Sequence, residues 1–338
     1  MSVLTIKIMK VLIVGDDPQV LTLAYYILAI NPEAEVTIGY TREGRTFRDD
    51  VLNIEPVHRE RLVTSLGAEI LPLQDIDKEN YDVLVDVMSY RVEEGQNDAV
   101  LVSGSLDTLI ASRRGLRMLF LRDTDLIDSD VLRYVRSRHG DLVCLVERER
   151  DYVNMDVTKV VYGVKHIEDE RCVYVGYGYR YRFEGVDLEV TDPAYVYKQC
   201  ILAGIVIAHN LSLDYIRRAP YWYALQIQDT WCLIAGPTSR QIAKTRRNVT
   251  SVPLTVDECY LKVLCLYKQG IIGYQVVGPR DDVRNKAALL YSLITSGGDY
   301  YSLSKLIFVP SVPSTDLRTW VDALLESSVK EMYWIFYA

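Results

Sequence analysis

The first half of the chain alternates short, β-branched apolar runs with segments of helical periodicity. KVLIVG, which begins at Lys10, predicts a first strand, and the segment that follows it to Ile30 carries apolar residues at the spacing of a helix. Further strand candidates recur at intervals that suit crossover connections: AEVTIGY, YDVLVDVM, DAVLVSG, RMLFLR and DLVCLVE. This alternation is typical of a parallel sheet covered by helices. It predicts an α/β protein whose residues 1–190 form a Rossmann-type domain.

The second half has a different pattern. CVYVGYGYRYRFEGVDLEV, which begins at Cys172, predicts an antiparallel hairpin at the edge of the sheet. Four later segments have the apolar content and the Gly or Pro punctuation of helices: AYVYKQCILAGI, LDYIRRAPYWYALQIQDTWCLIAG, VDECYLKVLCLYKQG and VRNKAALLYSLITSGG. The 338 residues also favour two domains over one. We therefore expect a mainly α-helical second domain over residues 191–338, joined by a hinge near residues 190–195.

Composition excludes several classes of protein. The formal net charge of -8 argues against a nucleic-acid partner, since such proteins carry a basic excess on one face. The apolar stretches are too short to span a bilayer, and no signal-peptide cleavage pattern follows the N-terminus. The six cysteines form no CxxC pair and lie mostly in apolar runs, as reduced thiols do. A cytoplasmic protein without a membrane partner is the expected class.

The turn after the first predicted strand is the candidate nucleotide site. A strand, a tight turn and a helix N-terminus bind anions because backbone N–H groups and the helix dipole point at the ligand. Of the three glycines in the dinucleotide pattern, only Gly15 is present, and Asp17 and Val20 occupy the other two positions. Gly15, Asp16 and Gln19 are the predicted cofactor contacts here. The alternative is a plain turn between a strand and a helix.

The residues after the second strand bear on the choice of cofactor. Rossmann proteins contact the adenosine ribose at this point, and NAD-binding members use an acidic residue there. This chain has Arg42 instead, with Arg45 and Arg48 close behind. A guanidinium suits a 2′-phosphate, so Arg42 predicts NADP as the cofactor. A solvated basic loop is the alternative interpretation.

Several segments together resemble the ketopantoate reductase (2-dehydropantoate 2-reductase) family. They are MKVLIVGDDPQVLTLAYYI with Arg42, YDVLVDVMSYRVEEG, TKVVYGV followed by CVYVGYGYRYRFEG, ILAGIVIAHNLSLDYIRRAPYW, and DECYLKVLCLYKQGI. The resemblance extends loosely over most of the chain. It implies an NADP-dependent oxidoreductase of pantothenate biosynthesis that reduces a small-molecule 2-keto acid.

The chain departs from that family at the family's catalytic and substrate-binding positions. The family's catalytic lysine corresponds to Ala224, and the other departures fall at Gln228, Met88, Arg148 with Glu149, and Trp320. Reducing a ketone requires a donor that neutralises the developing alkoxide, and alanine supplies none. Possible replacement donors are Lys244, Lys262, Lys305 and Tyr223, each better explained as a surface or core residue. The catalytic residues therefore stay unassigned.

Two hypotheses follow about function. The first is a ketopantoate-reductase-like enzyme, and the second is a catalytically inactive Rossmann-fold relative that binds a ligand or partner, as a homodimer packed through its helical domain. The four histidines have no metal-ligand spacing, so no metal site is predicted. Asp82 and Asp86 share one face of a predicted strand, which by itself is weak evidence for magnesium.

Overall fold

The computed structural model describes residues 8–41, 47, 57–121, 125–146, 156–212, 221–245, 247, 249–256, 258–266 and 270–295. The chain forms two compact units, each assembled from three separate segments. Unit 1 comprises Met1–Glu93, Val160–Tyr181 and Glu189–Ala219. Unit 2 comprises Glu94–Lys159, Arg182–Leu188 and Pro220–Ala338.

Sixteen strands and seven α-helices lie in the described part of the chain. The strands are β1 Lys10–Val14, β2 Glu35–Tyr40, β3 Glu69–Pro72, β4 Val83–Glu93, β5 Asn97–Val102, β6 Arg117–Leu121, β7 Val143–Val146, β8 Val157–Val164, β9 Cys172–Gly176, β10 Arg180–Phe183, β11 Val186–Glu189, β12 Trp222–Ile227, β13 Thr230–Ala235, β14 Val249–Val256, β15 Cys259–Leu266 and β16 Gly270–Pro279. The helices are α1 Gln19–Ile30, α2 Val57–Ser65, α3 Ser105–Arg114, α4 Ser129–His139, α5 Pro193–Ala208, α6 Ser239–Lys244 and α7 Arg280–Thr295. Single turns of 3₁₀ helix occur at Leu73–Asp75, Lys78–Asn80 and Gly140–Leu142.

Unit 1 is built on a parallel sheet in the order β3-β2-β1-β4-β9. The central strand β1 is buried from Val11 to Val14, which explains its unbroken apolar sequence, since a parallel strand is covered on both faces. The predicted Rossmann-type α/β fold is confirmed.

Helices α1 and α5 pack closely in unit 1, and a glycine makes the approach possible. A Cβ on Gly204 would lie 2.8 Å from the Cβ of Tyr26 and 2.9 Å from the carbonyl oxygen of Leu23. Asp192 begins α5 by accepting hydrogen bonds from the N–H groups of Ala194 and Tyr195. This cap satisfies donors that a helix N-terminus leaves free, so the N-terminus of α5 is fixed by its own sequence.

Unit 2 contains a second parallel layer and an antiparallel sheet. Strands β5, β6 and β7 pair in parallel, and the first residues of β8 join β5. The antiparallel sheet has the order β12-β13-β16-β15-β14. Apolar side chains of α7, among them Val283 and Leu290, pack on this sheet in one buried cluster.

The expectation of a mainly helical second domain is not confirmed. The segments around WYALQIQDTWCLIAG and CYLKVLCL form strands β12, β13 and β15, whereas those at Pro193 and Arg280 are helices as predicted. The segment at Cys172 also differs from prediction. Strand β9 joins β4 in parallel, and only β10 and β11 pair with each other as a two-stranded sheet. In the described residues, no helix has both the length and the hydropathy needed to cross a bilayer.

Candidate functional site

The turn between β1 and α1 keeps the first glycine of the dinucleotide pattern for a steric reason. Gly15 has a φ of 153°, and a Cβ there would lie 2.7 Å from Cγ1 of Val20. Its N–H donates to the carbonyl oxygen of Gly39 at 3.1 Å, which joins the ends of β1 and β2. The Val20 side chain fills the space beside Gly15, so a Cβ at position 15 would clash with it.

Asp16 binds the residue that follows β2. Its Oδ1 accepts a hydrogen bond from the Thr41 N–H at 2.7 Å, and its Oδ2 accepts one from the Thr41 hydroxyl. Asp16 and Asp17 are both buried, with 4% of each residue exposed. A Rossmann protein would contact the adenosine ribose at this strand tip. Here the strand tip is already occupied by a carboxylate of the protein.

His166 lies between two carboxylates of the same unit. Its Nδ1 is 2.8 Å from Asp86 Oδ1, and its Nε2 is 3.7 Å from Asp16 Oδ2. The backbone N–H groups of His166 and Ile167 donate to Asp86 Oδ2 at 2.7 and 2.9 Å. Asp86 is fully buried in β4, so it holds the segment that carries the imidazole against the sheet.

The charge of His166 follows from these neighbours. Burial is the largest influence on its pKa and acts to lower it, because burial disfavours the charged imidazolium. The hydrogen bond and charge of Asp86, together with the charges of Asp16 and Asp17, outweigh burial and raise the pKa above 6.5. The three carboxylates therefore favour the protonated imidazole.

A group of tyrosines packs at the end of β4 and β9. The buried Tyr177 ring lies edge-on to Tyr90, with ring centroids 4.9 Å apart, and is stacked at 6.3 Å on Tyr162. Gly178 contacts Gly163 so closely that a Cβ on Gly178 would lie 2.4 Å from Cα of Gly163. Large rings and closely packed backbone thus fill this part of unit 1.

The remaining predicted site residues are dispersed or lie outside the described residues. Gln19 is buried in the first turn of α1, and its Oε1 has no hydrogen-bond partner among the described residues. Arg42, Arg45, Arg48, Arg148, Glu149, Lys305 and Trp320 fall outside the described part of the chain. Met88 is buried in β4 beside Gly176 of β9.

The proposed replacement donors have structural partners in unit 2. Lys262 bonds Asp128 at 3.1 Å and Asp130 at 2.8 Å. Lys244 pairs with Asp125 at the surface, and the Tyr223 hydroxyl donates to the Leu126 carbonyl. These contacts give Lys262, Lys244 and Tyr223 structural roles, which account for the three side chains without a catalytic role.

The six thiols differ in burial, and burial affects their pKa values. Cys172, Cys200, Cys232, Cys259 and Cys265 are buried, and Cys144 is partly exposed. Burial, with the charge of Asp86, raises the pKa of Cys172 to about 12, and burial also raises the pKa of Cys200 and Cys232. Thiol chemistry proceeds through the thiolate, and the raised pKa values disfavour the thiolate in these three cysteines.

A small cavity opens elsewhere in unit 1, between helices α1, α2 and α5. It has a volume of about 140 Å³ and is lined by Leu21, Thr22, Tyr25, Tyr26, Leu62, Val63 and Tyr197. Ligand pockets for drug-sized molecules are usually about 300–1,000 Å³. The cavity is therefore too small for a dinucleotide.

Comparison with solved structures identifies the fold. A pyridine nucleotide-disulfide family oxidoreductase from Enterococcus faecalis V583 has a TM-score of 0.69 at 12% identity, covering 95% of this chain and 100% of that one. An NAD-dependent persulfide reductase from A. fulgidus has a TM-score of 0.70 at 12% identity, covering 97% and 84%. A FAD-dependent pyridine nucleotide-disulphide oxidoreductase from Desulfovibrio vulgaris has a TM-score of 0.60 at 11% identity, covering 96% and 100%. No protein-family model and no curated protein sequence matches the chain.

The chain thus has the Rossmann-type nucleotide-binding fold found in pyridine nucleotide-disulfide oxidoreductases. The assignment to the ketopantoate reductase family, and with it the 2-keto acid substrate and pantothenate biosynthesis, is wrong, because the matching structures belong to a different class. The structure explains the error. Ala224, placed opposite a catalytic helical lysine, lies in strand β12, and Gln228 lies beyond its end with a φ of 56°.

The residues at the β1–α1 turn do not fit a dinucleotide diphosphate. A diphosphate needs free N–H donors and close backbone approach. This turn carries the Asp16 and Asp17 carboxylates, and Pro18 has no N–H to donate. The shape of a dinucleotide turn is retained, but its charge opposes a dianionic ligand.

Proposed function

We propose that this chain is a non-catalytic member of the pyridine nucleotide-disulfide oxidoreductase fold, which acts as a binding protein without bound flavin. The hydrogen bonding of Asp16 to the backbone and hydroxyl of Thr41 carries this proposal. It puts a carboxylate of the protein between the β1–α1 turn and the β2 tip, where relatives with this topology would hold a nucleotide.

The electrostatics of unit 1 support the same conclusion. Asp16, Asp17 and Asp86 lie close enough to His166 to raise its pKa, and His166 is the one basic group that faces all three of these carboxylates among the described contacts. In a buried site, repulsion between such carboxylates and a diphosphate is screened far less than in water. A cofactor could therefore bind only if the contacts of Asp16 with Thr41 and of His166 with Asp16 and Asp86 were broken.

The thiols support the non-catalytic part of the proposal. Disulfide exchange begins with a thiolate, which is found in partly exposed, electropositive surroundings. Cys172 and Cys200, the cysteines of unit 1, are both buried and have raised pKa values. Neither has the properties of an attacking thiol.

Calorimetric titration of the purified chain with FAD, NADH and NADPH tests the proposal. We expect no binding heat with any of the three and no flavin absorbance in the purified protein. A triple variant, Asp16→Ala with Asp17→Gly and Val20→Ala, removes the Thr41 contact, restores the G-x-G-x-x-A pattern and should gain affinity for a dinucleotide. Asp75→Ala with Asp98→Gly removes the same number of charges at exposed positions and should gain none. Micromolar binding by the unaltered chain, or a yellow purified protein, would overturn the proposal.

A nicotinamide nucleotide ligand is a second candidate function, and Gln19 favours it. The Oε1 atom of this buried amide has no hydrogen-bond partner among the described residues, and it lies in the first turn of α1. A ligand with a hydroxyl or amide donor would satisfy that oxygen. NADPH binding by the unaltered chain that weakens about tenfold in Gln19→Leu, a loss of about 1.4 kcal/mol, would support it. Arg42→Ala then separates NADPH from NADH.

A further inference from the structure

A buried lysine lies against a buried thiol in unit 2. The Nζ atom of Lys286, on α7, is 3.4 Å from Sγ of Cys259, the first residue of β15. Only 6% of Lys286 and 2% of Cys259 are exposed. Gly278 bounds the sulfur on another side, since a Cβ there would lie 2.5 Å from Sγ. The thiol is therefore held beside the amine by the sheet and the helix together.

Lys286 differs from Lys262, another buried lysine of this unit. Lys262, also buried, has carboxylate partners in Asp128 and Asp130, which is the usual way to compensate a buried ammonium. Among the described residues, Cys259 Sγ is the hydrogen-bond partner of Lys286, and no carboxylate lies within ion-pair distance. The amine is directed at the sulfur, and no carboxylate of the described residues explains its burial.

We propose that Cys259 and Lys286 form an oxidant-sensitive covalent switch, in which peroxide joins Sγ to Nζ through one oxygen atom. The first peroxide converts the thiol to a sulfenic acid and leaves as water. A second peroxide accepts two more electrons as the sulfenic oxygen bonds to the amine nitrogen, and two further water molecules leave. The sum is RSH + R′NH₂ + 2 H₂O₂ → RS–O–NHR′ + 3 H₂O.

The position of the pair in the fold bears on how the linkage forms. Cys259 is the first residue of β15 and directly follows the exposed residue Glu258. The flexible lysine stem allows Nζ to close the 3.4 Å gap around a single oxygen atom. The linkage would join β15 to α7 covalently, and a thiol reductant would reverse it.

Mass spectrometry of the full-length chain after peroxide treatment tests the switch. We expect a gain of about 14 mass units, one oxygen less two hydrogens, which dithiothreitol removes. Peptide mapping should place the link between the peptides that contain Cys259 and Lys286. Because the mapping uses the unaltered protein, its result does not depend on whether a variant folds.

Variants separate the switch from ordinary thiol oxidation. Cys259→Ser and Lys286→Met should both abolish the gain of about 14 mass units, and Lys286→Met should show the additions of about 16, 32 or 48 of the cysteine oxidation series. Cys265→Ser, in the same strand, and Lys244→Met, at the surface, should retain it. Simple oxygen addition in the unaltered chain, a direct S–N bond with a loss of about two mass units, a link mapped elsewhere, or no reaction would each overturn the proposal.

Discussion

Asp16 and Thr41 are joined by two hydrogen bonds, one from the Thr41 N–H at 2.7 Å and one from its hydroxyl. The contact links the loop after β1 to the end of β2, two neighbouring strands of the unit 1 sheet. The pair therefore connects the tips of the two strands.

Replacing Asp16 should measure how much this contact contributes. We expect Asp16→Ala to lower the free energy of unfolding by about 2 kcal/mol, since hydrogen bonds to charged groups contribute about 1.5–3 kcal/mol. Urea denaturation checks this value. Asp75→Ala removes an exposed carboxylate of the same unit and should change stability by less than about 0.5 kcal/mol. Equal effects of the two substitutions would contradict a role for the Asp16 contact.

Protonation of His166 should make stability depend on pH. Its folded pKa is raised above 6.5, so its contribution is fully present below the unfolded value and is lost as the pH rises through the folded pKa. We expect the free energy of unfolding to fall as the pH increases above about 6.5, and this slope to flatten in His166→Asn. Urea denaturation from acidic to alkaline pH measures it. His209→Gln, at an exposed histidine, should retain the slope of the unaltered protein.

Lys262 and Lys244 offer a matched comparison of a buried and an exposed ion pair. Asp128, buried beside Lys262, also accepts from Gln275 Nε2 at 2.8 Å. We expect Lys262→Met to cost about 3–5 kcal/mol, because it leaves the buried Asp128 carboxylate without its cation. Lys244→Met should cost less than about 1 kcal/mol, since the Lys244 side chain is 57% exposed. Thermal and urea unfolding measure both, and similar losses would show that the Lys262 pair is not effectively buried.

Thiol labelling should find one accessible cysteine. Cys144 is partly exposed, whereas the other five thiols are buried. With a disulfide reagent at pH 8, we expect one thiol per chain to react quickly, and Cys144→Ser to remove that fast phase. A second fast thiol in the native protein would contradict the burial of the other five cysteines.

The parallel part of the fold could be predicted because its signals are local. Strand β1, the turn at Gly15 and helix α1 follow one another in sequence, and each has its own periodicity or turn residue. The ends of β1, β2 and β4 then meet at one edge because parallel strands place them there. The turn was therefore located correctly, although its charge argues against the expected ligand.

The sequence does not predict the antiparallel sheet, because the residue patterns of β15 and of the β12–β13 segment do not distinguish strands from helices. Strand β15 is buried on almost every residue, and a continuous apolar run does not distinguish a strand from a buried helix. The connection between β12 and β13 has Gln228 at a φ of 56°, where glycine or asparagine would have indicated a hairpin turn. Without that turn residue, the segment was interpreted as one long helix.

The network around His166 could not be predicted from spacing. His166 and Asp86 are 80 residues apart, and β9 follows His166 before it joins β4. The one available signal was Asp86 itself, a carboxylate in an otherwise apolar buried strand, which implies a specific partner. The sequence indicated the need for a partner, and only the fold identified His166.

The division of each unit into three segments has a consequence for synthesis on the ribosome. Unit 1 includes Glu189–Ala219, whose helix α5 packs on α1 near the start of the chain. Its native core cannot be complete until Glu189–Ala219 has emerged, when the unit 2 segment Glu94–Lys159 is already outside the ribosome. Co-translational folding must therefore keep two unfinished cores apart at the same time, and expressing either half of the gene alone should yield an aggregation-prone fragment.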